Sequence, residues 1–397
     1  MKLTEKIHYV GVNDRDKVRF EGLWPLTQGM AYNSYIVKGE KTALIDTVDN
    51  RYFPLFISKI KNVIGNGKID YLVINHMEPD HSGSLGLLRS LYPDIRLVGN
   101  KKTLQMAEGF YLQSGETLTV AEGSELDLGG PRLKFFLTPM VHWPETMMTY
   151  ELESQTLFSG DAFGCYGALN GGVTDEEIDI EPYFPEMIRY YANIVGKYGA
   201  QVQMAMKKLS ETNIERICST HGPVWTNAIS RVLDIYNRLS LYEGETGACL
   251  IYGTMYGNTT AMAESVAEGL VSGGMKHFVM HKLGRTDESY LLADVFRYKG
   301  LLLGAPTYNN GIYPLMERLL TDMEHRSLKN RLVGVFGSFS WASQAVKRLQ
   351  DFASLPGMKL VGQPVEMKQG FSKEIAEQCR ELGRQMAQQL SAEDGEA

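Results

Sequence analysis

Asn75-His76-Met77-Glu78-Pro79-Asp80-His81 follows directly on the apolar run Tyr71-Leu72-Val73-Ile74. An apolar β-like run that breaks into Pro, Asn and Asp is a strand ending in a loop. Four metal-ligand types crowd into six positions of that loop: His76, Glu78, Asp80 and His81. Imidazole nitrogen together with carboxylate oxygen suits zinc, iron or manganese. The carboxylate at Glu78 argues for redox iron over hydrolytic zinc.

From average residue usage, a His-x-Glu-x-Asp-His pattern arises by chance in roughly one chain in a thousand of this length. Caps and hydrogen-bonded turns also use these residue types, so the loop is read together with three later segments. These are Thr138-Pro139-Met140-Val141-His142-Trp143-Pro144, Ser159-Gly160-Asp161-Ala162-Phe163-Gly164 and Ser219-Thr220-His221-Gly222-Pro223. Each sets one ligand-type residue in a tight turn beside Gly or Pro. A single loop histidine or turn aspartate is ordinary; the ordered series is not. The remaining histidines, His8, His277, His281 and His325, read as surface or loop residues.

The 397-residue chain exceeds the roughly 250–300 residues at which one core stops growing, so two domains are expected. Up to about residue 242, short β-like runs (33–37, 42–46, 71–75, 96–99, 133–138, 156–160) alternate with helical patterns at 52–62, 83–91, 101–110, 184–196 and 226–241. The polar stretch Glu243-Gly244-Glu245-Thr246-Gly247 marks the boundary, giving domains of 1–243 and 248–397. Beyond it, strands at 248–253, 278–283, 300–304, 332–337 and 360–367 alternate with helices at 258–271, 287–297, 314–323, 343–353 and 372–390. That is the pattern of a doubly wound parallel sheet. The acidic tail after Ser391 is expected to fray.

A formal charge of -7 and a pI near 5.7, without a polybasic run, leave no footprint for nucleic acid or an anionic membrane. The N-terminus lacks a signal-peptide pattern, and nowhere do 18 or more apolar residues run together as a spanning helix needs. A soluble cytoplasmic protein is the simplest reading. Cys165, Cys218, Cys249 and Cys379 form no Cys-x-x-Cys pair, so iron here must rely on His and carboxylate.

In the second half, Thr254-Met255-Tyr256-Gly257-Asn258-Thr259 lies between a strand and a helix N-terminus, where hydroxyls and backbone amides cradle a phosphate. It lacks the Gly-x-x-x-x-Gly-Lys pattern of ATP and GTP sites, which favours a phosphomonoester such as that of FMN. Two more loops follow successive strands at the same sheet edge: Ala305-Pro306-Thr307-Tyr308-Asn309-Asn310-Gly311 and Ser338-Phe339-Ser340-Trp341-Ala342. Three loops at the carboxyl edge of a parallel sheet form a crevice suited to an isoalloxazine ring.

The order His-x-Glu-x-Asp-His, His, Asp, His, followed by these loops, resembles the flavodiiron proteins over nearly the full chain. The resemblance implies an α/β architecture: an N-terminal metallo-β-lactamase-like αββα sandwich and a C-terminal flavodoxin-like doubly wound parallel sheet. It implies one iron on His76, Glu78 and His142, a second on Asp80, His81 and His221, and Asp161 bridging both. FMN is expected on Thr254, Met255, Tyr256, Gly257, Asn258 and Thr259, on Pro306, Thr307, Tyr308, Asn309 and Gly311, and on Ser338, Phe339, Ser340 and Trp341. Ser340 departs from the family's usual Gly, and Gln344 from a smaller residue. Tyr190 and Tyr191 lie between the sixth and seventh ligands in sequence and are candidates for reaching the metals.

The implied function is an oxidoreductase that reduces O2 to water, NO to N2O, or both, with electrons passing through FMN from an external donor such as rubredoxin. No fused rubredoxin is read from the sequence. A head-to-tail homodimer, or a tetramer of such dimers, would appose one subunit's FMN to the other's irons. Two other readings compete. One is a zinc-dependent hydrolase of the metallo-β-lactamase fold fused to a flavodoxin module, in which Glu78 and the flavin domain would lack a purpose. The other is a non-enzymatic electron-transfer or redox-sensing flavoprotein.

Overall fold

The structure, a computed structural model, describes residues 1–112 and 115–395. The chain divides into two compact units, Met1–Asn237 and Arg238–Ala397.

In the first unit, six strands form one sheet in the order Ile7–Tyr9, Tyr35–Lys38, Thr42–Ile45, Tyr71–Val73, Arg96–Gly99 and Thr117–Thr119. The first two pairings are antiparallel and the other three parallel. A second sheet runs Glu125–Asp127, Arg132–Leu137, Met147–Glu151, Thr156–Gly160 and Arg216–Ser219, antiparallel except for its last pair. Tyr71–Val73, Met147–Glu151 and Thr156–Gly160 are buried at every position, as strands covered on both faces must be. The sheets meet through Tyr35 and Phe158, whose rings lie 5.3 Å apart. They are also joined by the Thr149 hydroxyl, which donates to Asn75 Oδ1 at 2.7 Å. Amphipathic helices supply the outer cover: Phe53–Ile64 buries Phe56 and Ile60, four positions apart on one face. This is a metallo-β-lactamase-like domain.

The sequence reading of this unit omitted several strands, Met147–Glu151 and Arg216–Ser219 among them, and two of its helical segments also differ from the structure. The helix expected over 184–196 is α-helical only through Tyr183–Tyr190 and then widens into a π-turn, Tyr191–Val195. A helix not anticipated, Gly199–Leu209, buries Gly199, Val202, Ala205 and Leu209. Val202 and Leu209 are the only larger apolar residues on that buried face, which leaves little apolar signal.

The second unit is a parallel sheet in the order Phe278–Lys282, Glu245–Tyr252, Tyr298–Tyr308, Arg331–Phe339, with Met358–Leu360 and Val365–Lys368 both pairing to the last of these. In chain order this is 2-1-3-4-5, the flavodoxin-like arrangement, whose switch point lies between the first and third strands. The final strand expected at 360–367 is thus two short ones. Helices Asn258–Ser272 and Lys373–Gly395 cover one face, sharing a core with Leu250, Leu302 and Phe336 of the sheet. They approach closely at two glycines. A Cβ on Gly269 would lie 2.1 Å from the Arg380 carbonyl oxygen, and one on Gly383 2.2 Å from that of Val266.

The tail expected to fray after Ser391 is helical to Gly395. Glu393 anchors it by ion pairs to Lys299 at 2.7 Å and Lys359 at 3.2 Å; residues 396–397 lie outside the described residues.

Candidate metal centre and flavin cleft

Five of the seven residues singled out as ligands stand on turns that follow strands, and Asp80 and His81 stand on the short helix Pro79–Ser82 just beyond one. Glu78 precedes the short helix Pro79–Ser82, with extended backbone (φ -56°, ψ 140°) and Pro at the first helical position, a geometry Pro favours. The loop is fastened to the neighbouring strand end. Asp46 accepts the Asn75 N–H at 2.7 Å and the Asn75 side-chain amide at 3.0 Å. The Thr47 hydroxyl donates to the His81 carbonyl at 2.7 Å. These bonds carry strand order into the loop.

The fold gathers the seven into two groups, His76, Glu78, His142 and Asp161, and Asp80, His81 and His221; within each, the ligand atoms lie within 4.8 Å of one another. All four imidazoles turn Nε2 inward. His76 Nε2 is 3.2 Å from Glu78 Oε2, and His142 Nε2 is 3.3 Å from the same oxygen and 3.0 Å from Asp161 Oδ2. On the other side, His81 Nε2 is 2.9 Å from Asp161 Oδ1 and 3.3 Å from Asp80 Oδ1, while His221 Nε2 is 3.4 Å from Asp80 Oδ2. Asp161 therefore turns one oxygen to each group, and the Thr220 hydroxyl donates to its Oδ1 at 2.5 Å.

Among the described residues, both Asp80 oxygens and His221 Nε2 are buried without a hydrogen-bond partner. Orphaned buried donors and acceptors call for a bound ion or water. Donors on a shared cation at about 2.0–2.2 Å stand about 3.0–3.5 Å apart from one another, close to the 2.9–3.4 Å of the contacting pairs here. The residues fit two divalent cations, one for each group, with an Asp161 oxygen facing each.

Protonation in the cation-free protein shows the same charge demand. Burial pushes the His76 imidazolium down, but hydrogen bonds to Glu145 and Glu78 carry it well above its ordinary range. Against the same burial, Asp80 and Asp161 raise His81 to about 9, and Asp161 and Glu78 raise His142 to about 9. Burial favours the neutral acid at Glu78 and Asp161, yet their histidine neighbours lower both. Burial lifts Asp80 to about 7, while burial and the nearby His81 push His221 down to about 3. Protons on the imidazoles balance the carboxylates where cations would.

Of the two tyrosines singled out, Tyr190 packs 5.7 Å from the His221 ring, and its hydroxyl is buried without a partner. Tyr191 turns to Tyr236 at 5.1 Å. A pocket of about 290 Å³ reaches the centre from outside, lined by Lys17, Phe20, Glu21, Phe110 and Tyr111 along with Glu78 and Asp80.

Sequence reading missed Glu145, whose Oε1 lies 2.8 Å from His76 Nδ1. The signal was a carboxylate three residues beyond His142 in the same turn.

In the second unit, a cleft of about 690 Å³ opens at the carboxyl edge of the parallel sheet, within the usual range for cofactor sites, roughly 300–1,000 Å³. Its lining takes in Thr254, Met255, Tyr256, Asn258 and Thr259 from the first loop, Pro306, Thr307, Tyr308 and Asn309 from the second, and Ser338, Phe339, Ser340 and Trp341 from the third. Gly257 and Gly311 shape the turns without lining the cleft; Asn310, Ala342, Gln369 and Gly370 join it. Gln369 and Gly370 follow the strand Val365–Lys368, so the fifth strand end was the signal for them. The loops are tied together. Thr259 and Ser338 hydroxyls lie 3.0 Å apart, Asn258 donates to the Gln369 carbonyl at 3.1 Å, and the Thr307 hydroxyl accepts the Gln344 and Ala345 N–H groups at 3.1 Å. The helix Asn258–Ser272 has no side-chain cap, leaving its first N–H groups to a phosphate.

Residues 30–222 match the ODP family beta lactamase, and residues 250–383 match flavodoxin. The anaerobic nitric oxide reductase flavorubredoxin of Escherichia coli O1:K1 is 33% identical over 393 residues, covering 98% of this chain and 82% of that protein. The rubredoxin oxygen:oxidoreductase of Desulfovibrio gigas superposes with a TM-score of 0.93 at 28% identity, over 99% of this chain and 98% of that one. The flavodiiron protein from Giardia intestinalis gives 0.91 at 26%, over 100% and 97%. Likeness of this extent in both sequence and fold, spanning both units, means that the chain belongs to the flavodiiron protein family of oxidoreductases.

Proposed function

We propose that the protein reduces O2 to water, NO to N2O, or both, at a di-iron centre that takes its electrons from FMN. The observation that carries this reading is the pairing of seven buried donors bridged by Asp161 with a flavodoxin-like cleft in the same chain. His76, Glu78 and His142 would hold one iron, Asp80, His81 and His221 the other, and Asp161 both. When bound, FMN and the two irons together store the four electrons that O2 requires.

The rest falls to the chain. Three carboxylates against two divalent cations leave a net positive centre, and Glu78, standing where a hydrolase of this fold usually has His, favours the more highly charged oxidised metal. Phe20, Tyr32 and Tyr190 enclose the His221 ring at 5.5, 5.9 and 5.7 Å, keeping bulk water from that side. The Tyr190 and Tyr32 hydroxyls, both buried without a partner among the described residues and carried by rings beside His221, would offer hydrogen bonds to a small molecule at the centre. In the cleft, Thr254, Asn258, Thr259 and the helix N-terminus would bind the phosphate, with Tyr308 and Trp341 beside the ring.

We further propose a small external electron carrier such as rubredoxin, and a head-to-tail homodimer or a tetramer built from it. Uncovered aromatics at both mouths support the dimer: Tyr256 and Trp341 at the cleft are 92% and 87% exposed, and Phe110 at the metal pocket 52%. Four free, buried cysteines fit a reducing cytoplasm; among the described residues, no helix is long and apolar enough to cross a membrane.

The deciding experiment is anaerobic stopped-flow on protein of known iron and FMN content, mixing reduced enzyme with O2 or with NO and following flavin reoxidation. Rapid reoxidation by either gas is expected. A reduced flavin that neither gas reoxidises sinks the reading.

A further inference from the structure

The two halves of the metal centre offer matching donors: His76, Glu78 and His142 in one, Asp80, His81 and His221 in the other, and one oxygen of Asp161 for each. Two imidazoles and a terminal carboxylate apiece leave nothing in the donor set to tell the halves apart. What stands behind the imidazoles does. His76 Nδ1 lies 2.8 Å from Glu145 Oε1, on a carboxylate with 0% side-chain exposure. Among the described residues, His221 Nδ1 faces only the Ala31 carbonyl oxygen, at 2.7 Å. His81 Nδ1 is buried with no hydrogen-bond partner among the described residues.

A carboxylate accepting Nδ1–H fixes the tautomer that leaves the Nε2 lone pair free, and it makes that nitrogen a stronger donor. A neutral carbonyl does this less, and an unpartnered nitrogen gains nothing. Glu145 is itself held in place. Its Oε1 also accepts the Met77 N–H at 2.9 Å, and its backbone carbonyl accepts the Asn100 side-chain amide at 2.6 Å. Its second carboxylate oxygen is buried without a partner, which concentrates the interaction on His76 and Met77.

We propose that Glu145 is a positioning residue that makes the two metal positions unequal: the His76–Glu78–His142 half takes its metal first and more tightly, and the Asp80–His81–His221 half fills second. This rests on the two-metal reading above.

The test is titration of metal-free, full-length protein with Co²⁺, followed by calorimetry and visible absorption. The wild type is expected to bind in two steps at least about tenfold apart in affinity. Glu145→Gln, which keeps the side chain's size and an acceptor for Met77, is expected to weaken the tight step by about 10–100-fold, the range for loss of such a partner, and to leave the weak step unchanged. Glu145→Asp, which keeps the charge on a shorter arm, should fall between, and it serves if the Gln variant does not fold. His221→Ala should keep the tight step and Glu78→Ala should lose it, which assigns that step to its half. Equal steps in the wild type, equal weakening of both steps in the Glu145 variants, or a tight step that survives Glu78→Ala would overturn the proposal. Absence of any Co²⁺ binding would overturn the two-metal reading and this one with it.

Discussion

His221 is presented by a turn that tolerates no side chain at the next position. Gly222 has φ +76°, and a Cβ there would lie 2.2 Å from Cys165 Sγ. Gly222→Ala is expected to cost about 1–3 kcal/mol in backbone strain and crowding and to displace His221. Thermal unfolding and metal analysis would show a lowered midpoint and less than two irons per chain; a full complement of iron would refute the account. At this scale the candidate site was legible in sequence as a cluster, because the seven residues that the fold gathers stand close after strands and beside Gly or Pro, and strand ends are easy to place. Glu145 was not legible. Its role depends on a hairpin turn that folds it back onto His76, sixty-nine positions away, and spacing says nothing of that. Tyr190 and Tyr191 were indistinguishable until the π-turn that begins at Tyr191 sent them to different neighbours.

Among elements, the contact between the helices Asn258–Ser272 and Lys373–Gly395 depends on Gly269 and Gly383, each facing the other helix's backbone. Alanine at either position must push the helices apart or bend one. Each is expected to destabilise by about 1–3 kcal/mol, as overpacked sites do. Because the two contacts share one interface, the double variant should lose less than the sum. Denaturant midpoints for the two singles and the double would check this, and strict additivity would count against a single shared contact. The alternating strands and helices of this unit were legible because buried parallel strands read as continuous apolar runs, such as Leu301, Leu302 and Leu303, all 0% exposed. The first unit was harder to read. Several of its strands have only two or three residues, such as Arg19–Phe20 and Thr117–Thr119, too short for any alternation to register.

For the whole molecule, the proposed dimer predicts that activity per flavin falls on dilution in step with the mass in solution. Sedimentation alongside oxygen or NO consumption would measure both, and a monomer that keeps full activity would remove the need for a partner subunit. The flavin cleft has a consequence of its own. Among the described residues, its lining contains no Lys, Arg, Asp or Glu, so a phosphate dianion would be held by hydroxyls, amides and a helix end, with no ion pair for salt to screen. Between 0.1 M and 1 M salt the Debye length shrinks from about 10 Å to about 3 Å, which weakens sites built on lysine or arginine. Here FMN affinity should stay level or tighten slightly, as the screening also reaches the chain's net charge of -7. Equilibrium dialysis across that range would show it, and the cofactor should accordingly survive high-salt chromatography.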